Sequence, residues 1–595
     1  MSGRGTNSTT IADLLPKAAA QYGSAVAVRY KQGDAWVGKT FDEVLEIVRP
    51  LAFGLVTLGI EKGDRVSILG NTRPEWTYFD FAALSIGATV VPIYQTNSPE
   101  ECRYVLENSD SKVVVVEDAE QLEKVRQVRD QLPQLEHVVL MSGAGAEDAI
   151  SMEDLAAKGG GGDAGTWEAL YSAVTPEDIC TFIYTSGTTG PPKGCVISHG
   201  NYRAMLDMVN ETSVIEEGDV TYLYLPLAHS FALLIQLGSF DLGTTIAYWE
   251  RDPLKILPNL AELKPSYFPS VPRIFEKIYT AATSAMEKEG GLKKAIFNWA
   301  IGVGEKMRKT ERAGRKPGFL LQRQYAFADK KVLSKIRGLF GGNIRLAVSG
   351  AAPINPEILR FFDAAGVLVL EGWGMTETST AATISSPEDF KVGTIGKPFP
   401  GCEVRIADDG EILVKGPNVF QGYHKNPEAT AETIVDGWLH TGDIGEIDSE
   451  GFIKITGRKK DIIITAGGKN ITPANLEAEI KQHPLVSQCV VVGDRRPYLV
   501  ALVTLDPEEA VKYAEENNLS EDPAQLARNS DVKVAIEAHV EKINQNFARV
   551  EQVKKIAILP HDLSQESGEL TPTLKVKRAV VAQKHEDAIE QLYAA

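Results

Sequence analysis

The sequence predicts an α/β protein: a large N-terminal domain of several subdomains, its mixed and parallel sheets flanked by helices, followed by a small α+β C-terminal domain. Three observations predict it. Strand-like apolar runs such as Arg65–Leu69 and 112–116 alternate with amphipathic segments from Thr10 onward, the pattern of parallel strands layered with helices. Beyond about Gly457 the pattern changes: 487–493 and 499–503 read as a small sheet, and long charged amphipathic helices follow, as around 531–550. A chain of 595 residues also exceeds what one compact core holds. Together these place a boundary near Arg458, with residues 1–457 as the large domain and 458–595 as the small one.

Composition narrows the function classes. An apolar content of 43% with 24% charged residues is that of an ordinary globular chain. No apolar stretch is long enough to span a bilayer, and the N-terminus lacks a signal-peptide core. Five dispersed cysteines argue for reduced thiols in a cytoplasm and against a disulfide framework or zinc site. A formal charge of −18 weighs against a nucleic-acid partner. The segment 306–337 runs the other way, dense in Lys and Arg with Glu311 and Asp329 as its only acids. It reads either as a solvated helical face or as a patch that meets anionic lipid headgroups. The run Gly159, Gly160, Gly161, Gly162 reads as a surface loop.

The most informative stretch is 184–194. An apolar strand, 179–183, runs into Thr185, Ser186, Gly187, Thr188, Thr189 and Gly190, with Lys193 close behind. Glycines let backbone N–H groups close around an anion, hydroxyls add donors, and lysine adds charge: a phosphate cradle. It is not a Walker loop, because Pro192 precedes Lys193 and Gly194 stands where a magnesium-binding hydroxyl belongs.

Two later strands end on small residues. The run 344–348 leads into Ser349, Gly350 and Ala351; 367–370 leads into Glu371, Gly372, Trp373, Gly374, Met375, Thr376 and Glu377. Both turns belong at the carboxyl edge of a parallel sheet, where ligands bind. Trp373 offers a stacking face to a flat ring, and Glu377 a hard oxygen ligand for Mg²⁺. Further along come Thr441, Gly442 and Asp443, then Gly457, Arg458, Lys459, Lys460 and Asp461, then Gly467, Gly468, Lys469 and Asn470. Aspartate accepts from both ribose hydroxyls, and arginine donates to ribose or phosphate. A basic tail, 570–578, contains Lys575, and 225–234 carries His229 ahead of an apolar helix with Phe231 and Leu234.

Residues 185–194 resemble the signature loop of the acyl-adenylate-forming superfamily, which includes acyl-CoA synthetases, firefly luciferase and peptide-synthetase adenylation domains. The other motifs follow in the family's order. The variants Leu-Pro-Leu-Ala-His at 225–229 and Thr-Pro-Thr-Leu-Lys at 571–575 are similar to long-chain fatty acid–CoA ligases. The resemblance implies that ATP is held by residues 185–190, Lys193, Gly350, Ala351, Glu371, Gly372, Trp373, Asp443 and Arg458. It gives Thr376 to the α-phosphate, Glu377 to Mg²⁺, and Lys575 to the bridge between carboxylate and α-phosphate. Trp373 stands where the family usually has tyrosine. His229 would flank the acyl carboxylate and gate the thiol tunnel, and Phe231, Leu234 and Gly350 would line the acyl pocket. Lys460 would be the hinge on which the small domain turns, bringing Gly467 and Gly468 to the coenzyme A side. The implied reaction is activation of a fatty acid by ATP to an acyl-adenylate, then to its coenzyme A thioester. A fatty acyl-AMP ligase that loads a carrier protein, and a catalytically silent adenylate-binding scaffold, are the alternatives.

Overall fold

The computed structural model describes residues 4–185, 191–466, 469–571 and 575–594. Two large sheets dominate it. Among the described residues, one sheet orders its strands as Lys397–Pro398, Thr383–Ile384, Val369–Trp373, Leu346–Ser349, Tyr267–Ser270, Val220–Leu223, Thr245–Tyr248, Val26–Gln32 and Ala35–Thr40. From Val369–Trp373 to Val26–Gln32 every pairing is parallel. The second sheet runs Gly422–Tyr423, Lys193–Ser198, Ile179–Thr185, Thr89–Ile93, Arg65–Leu69, Val113–Val116, His137–Leu140 and Ile150–Ser151, parallel from Ile179–Thr185 onward. The α/β expectation holds for a physical reason visible in Val113–Val116. All four valines are fully buried, as strands covered by helices on both faces require.

A smaller antiparallel sheet follows, with Trp438–Ile447 flanked by Glu411–Lys415 and Ile453–Arg458. The C-terminal part is α+β. Val486–Val492, Leu499–Leu505 and Val553–Ile558 form its sheet, and helices Pro507–Asn517 and Ser530–Asn544 pack there. It has a core of its own around Ile480, Val491, Val503 and Ile536, separate from the two large clusters of the N-terminal part. A chain segment that owns a core can move as a unit.

The glycine run is the expected surface turn at Gly160 and Gly161, which are exposed, but its two ends are packed. Gly159 is buried at the end of helix Met152–Gly159, where a Cβ would stand 1.9 Å from the carbonyl oxygen of Pro50. A Cβ on Gly162 would enter the ring of Phe53. Both positions are small so that this segment can lie directly on helix Phe41–Thr57. The five cysteines are all buried and free.

Candidate functional site

The hydroxyl-rich loop joins two antiparallel strands. Ile179–Thr185 leads into it and Lys193–Ser198 leads out, with Thr185 and Lys193 as cross-strand partners. The hydroxyl of Thr185 donates to the Lys193 carbonyl at 3.4 Å, and Tyr104 donates to the carbonyl of Pro192 at 3.0 Å. Lys193 is therefore fixed by a strand ladder at the far side of the loop. Ser186, Gly187, Thr188, Thr189 and Gly190 lie outside the described residues, as do Gly467 and Gly468.

The two small-residue turns meet at the same sheet edge. Leu346–Ser349 and Val369–Trp373 are adjacent and parallel, with Ser349 opposite Glu371. The second strand runs past the expected end at Leu370: Gly372 and Trp373 pair with Ile384 and Thr383 of an antiparallel neighbour. That pairing fixes the Trp373 ring. Backbone strain collects here, with φ of +68° at Ala351, +48° at Ser379 and +106° at Thr380. Such values at non-glycine residues persist only where the surroundings enforce them. Gly374 could carry no side chain, since a Cβ would lie 2.3 Å from the Ala381 Cα. The ring of Phe231 lies against Gly350, 3.2 Å from where a Cβ would be.

Thr376 and Glu377 open a buried single turn, Thr376–Thr378. Oε1 of Glu377 accepts from the hydroxyl of Tyr423 at 2.7 Å. Tyr423 pairs with Cys195 on the strand that carries Lys193, and the Lys193 ammonium stands 5.0 Å from the Tyr423 ring centroid. The tyrosine thus ties Lys193 to the Thr376–Glu377 turn. Sequence reasoning missed it, because a Gly-Tyr pair far along the chain has no chemical signature until strand pairing places it.

Asp443 and Arg458 are direct cross-strand partners. Arg458 Nε donates to Asp443 Oδ1 at 2.7 Å, and the indole N–H of Trp373 donates to Oδ2 at 2.8 Å. The tryptophan thus reaches the aspartate through its indole N–H. Glu371, half-buried, accepts only from the Gly393 N–H at 3.2 Å among the described residues. Burial pushes its carboxyl up to about 8, against the pull of that amide.

Lys575 reaches this cluster from the C-terminal part. The turn that carries it is closed by reciprocal bonds with Thr571: Thr571 N–H to the Lys575 carbonyl at 2.8 Å, and Lys575 N–H to Oγ1 at 3.0 Å. Its side chain is open to water yet has enough protein around it for desolvation to weigh on its charge. Desolvation and the charge of Arg458 lower its ammonium to about 8, opposed by Asp443 and Glu377. His229 lies close enough for the Lys575 charge to add to burial in holding its imidazole down to about 3. His229 also caps helix Ser230–Asp241, accepting from Phe231 N–H at Nδ1 over 3.2 Å, which leaves the neutral ring its proton on Nε2. Two threonines hold this turn. Thr72 donates to the Leu225 carbonyl and accepts from Leu227 N–H, and Thr380 donates to the Ser230 carbonyl. Leu234 is buried in the main core, together with Ile235 and Leu237. Lys460 lies exposed on the turn Lys459–Asp461. The neighbouring Lys459 pairs with Asp409 and Glu411 at 2.6 Å each.

An AMP-binding enzyme family model matches residues 15–424, and a model for the AMP-binding enzyme C-terminal domain matches residues 460–595. The chain belongs to the AMP-binding enzyme family. Among relatives of this AMP-binding enzyme, the long-chain-fatty-acid–CoA ligase FadD15 of Mycobacterium tuberculosis is 41% identical over 563 residues, covering 94% of this chain and 92% of that protein. The long-chain-fatty-acid–CoA ligase ACSBG2 of Xenopus laevis is 34% identical, covering 98% of this chain and 84% of its own length. The fold matches the crystal structure of the anthranilate CoA ligase AuaEII in complex with anthranoyl-AMP with a TM-score of 0.73, at 21% identity and 98% coverage of both chains.

Proposed function

We propose that this AMP-binding enzyme activates a long-chain fatty acid with ATP, through an acyl-adenylate, and passes the acyl group to coenzyme A, releasing pyrophosphate and AMP. One observation carries the reading. Lys575, from the C-terminal part, sits among Glu377, Asp443, Arg458 and His229 of the large part. That is where a cation must stand if a carboxylate is to attack the α-phosphorus of a nucleotide held on the Trp373–Asp443–Arg458 platform.

The same reading assigns the roles. Lys193 and residues 185–190 hold the outer phosphates, with Gly350, Ala351, Glu371, Gly372 and Trp373 around the adenine. Asp443 and Arg458 hold the ribose, and Thr376 the α-phosphate. Lys575 offsets charge building up between carboxylate and phosphate, which is the most productive place for a fixed cation. His229 borders the acyl carboxylate as a neutral imidazole, with Phe231, Leu234 and Gly350 on the acyl side. Residues 1–457 and 458–595 are the two units, and a turn of the second about Lys460 withdraws Lys575 and brings Gly467 and Gly468 to the thiol side.

Glu377 fits a Mg²⁺ site. It is a buried carboxylate with one oxygen steadied by Tyr423 and the other making no hydrogen bond among the described residues. No group of three or more His, Cys, Asp or Glu suited to a metal occurs among the described residues, so phosphate oxygens and water would complete the shell, as Mg²⁺ prefers. When bound, the ion supplies a divalent charge that balances the departing pyrophosphate. Among the described residues no helix is long and apolar enough to cross a membrane. Peripheral contact with anionic lipid through 306–337 belongs to the same reading.

The decisive experiment is pyrophosphate exchange driven by a series of acids from acetate to stearate, followed by thioester formation on adding coenzyme A. Exchange that rises with chain length, and thioester only with coenzyme A, is expected. Absence of exchange with every acid would end the proposal. Exchange without thioester would make the protein an adenylate-forming ligase that serves another acceptor.

A further inference from the structure

The helix Gly291–Arg312 folds back through 313–318 onto Phe319–Ala328, and the hairpin presents apolar side chains to water. Leu292 is 76% exposed, Phe319 70% and Leu320 69%; Trp299 and Phe327, also exposed, meet edge to face at 6.0 Å. Between the helices Ile296, Trp299, Arg323 and Phe327 line an open, almost wholly apolar concavity of about 520 Å³. Within each helix these residues recur at helical spacing: Leu292, Ile296 and Trp299 in one, Leu320, Arg323 and Phe327 in the other. A soluble chain that spends this many large apolar side chains on one outward ridge has a partner for them.

The charge around the ridge says which. The chain as a whole is at −18, yet this hairpin and its continuation are cationic. Arg308, Arg312 and Arg337 are used internally, bonded to Glu311, Asp363 and Asp329. Lys309, Arg315, Lys316, Lys330 and Lys331 are exposed and form no ion pair among the described residues. Arg315 and Lys316 lie in the connection just before Phe319, and Lys330 and Lys331 lie a turn beyond Phe327, so cations bracket the apolar ridge at both ends. Arg323 lays its guanidinium 4.6 Å from the Phe319 ring centroid, its stem on apolar surface and its head free to reach outward.

We propose that this hairpin seats the enzyme on an anionic phospholipid bilayer, with Leu292, Trp299, Phe319, Leu320 and Phe327 in the acyl-headgroup boundary and the lysines and arginines on lipid phosphates. It deepens the proposed function by naming the surface from which a fatty acid reaches the enzyme, and rests on that reading only for its purpose. The seat is interfacial, since aromatic tips rimmed by cations suit the headgroup layer and neither helix can span the core.

The test is flotation of the full-length protein with phosphatidylcholine vesicles, with and without phosphatidylglycerol, at low and high salt. Wild type is expected to float with anionic vesicles, less at high salt, and not with neutral ones. The double variant Lys330→Glu, Lys331→Glu lowers partition at least ~30-fold, from about fivefold per removed lysine near an anionic surface. The double variant Phe319→Ser, Phe327→Ser loses flotation at every salt concentration, with an unchanged melting temperature. Both variants keep wild-type turnover on detergent-dispersed fatty acid, which separates failure of the seat from failure of the ligase reading. Equal flotation of wild type and both variants overturns the proposal. So does a concentration-dependent dimer, seen by sedimentation, that the phenylalanine variant abolishes while wild type ignores vesicles.

Discussion

The hydroxyl of Tyr423 donates to Oε1 of Glu377 across 2.7 Å, joining the strand paired with Lys193–Ser198 to the turn that begins at Thr376. Burial and the Glu377 charge hold the phenol far above its usual range, so it stays a donor at any working pH. The tyrosine thereby fixes the angle of the carboxylate proposed to hold Mg²⁺. Tyr423→Phe removes the donor and keeps the ring under Lys193. A hydrogen bond to a charged group contributes about 1.5–3 kcal/mol, so kcat/KM for pyrophosphate exchange should fall ~10–100-fold. The Mg²⁺ concentration for half-maximal exchange should rise while the melting temperature holds. An unchanged Mg²⁺ dependence would remove Tyr423 from any positioning role.

Lys575 carries a pH signature. Its ammonium titrates at about 8 in the free protein, lowered first by desolvation and then by Arg458. In the proposed mechanism the charged form is the working one, so kcat/KM for adenylation should be full below that pH and fall as pH rises through about 8. Arg458→Gln removes the repelling charge, and the falling limb should move to higher pH even as ribose affinity drops. Lys575→Ala should abolish adenylation, worth ~10²–10³-fold or more for a cation aimed at developing charge, and spare thioester formation from supplied acyl-adenylate. A falling limb that stays in place in the Arg458→Gln profile would show that another group sets it.

Two ion pairs hold the C-terminal part where Lys575 reaches the site. Arg273 meets Asp506 at 2.5 Å and Lys277 meets Glu508 at 3.1 Å, linking helix Pro272–Glu289 to the start of helix Pro507–Asn517. Asp506 is well placed for this, since it already caps its helix through the N–H groups of Glu508 and Glu509. Partly exposed pairs contribute up to about 1 kcal/mol each, enough to bias an orientation and too little to lock it. Arg273→Ala with Lys277→Ala should slow single-turnover adenylation about fivefold to tenfold and leave the thioester half-reaction unchanged or faster. Added salt should slow wild-type adenylation more than the variant's. Equal change in both half-reactions would dismiss the pairs as a latch.

What the sequence disclosed was chemistry carried by contiguous residues, and what it withheld was contact between distant ones. The parallel layering was legible in runs such as Val113–Val116, and Ser349 and Glu371 do face each other on neighbouring parallel strands. Asp443 and Arg458 were legible as separate motifs, but their pairing across one ladder step depends on a strand register no motif states. Gly159 and Gly162 read as loop because their partners, Pro50 and Phe53, lie a hundred residues away in the chain. The basic run 306–337 was visible as charge alone. The apolar ridge beside it emerges only once two helices pair and leave Trp299 and Phe327 on the same outer face.

Glu371 tests the electrostatics of the site independently of turnover. Its carboxyl titrates at about 8 in the folded protein, against an ordinary value of 4.5, because burial disfavours the anion more than the Gly393 amide favours it. The unfolded chain ionises from 4.5 upward while the folded one resists until about 8. Stability from the neutral carboxyl is therefore complete below the lower value, is lost progressively as pH rises toward the upper one, and stays lost beyond it. Glutamine has the shape of the neutral acid and cannot ionise. Glu371→Gln should match wild type in acid and then gain on it by on the order of 1 kcal/mol per pH unit through that window, levelling off above about 8. Thermal melts of both proteins across that pH range measure it directly. A gap between the two that does not vary with pH would mean that Glu371 is ionised in the folded state, and that the pocket around the Trp373 strand is wetter than its packing implies.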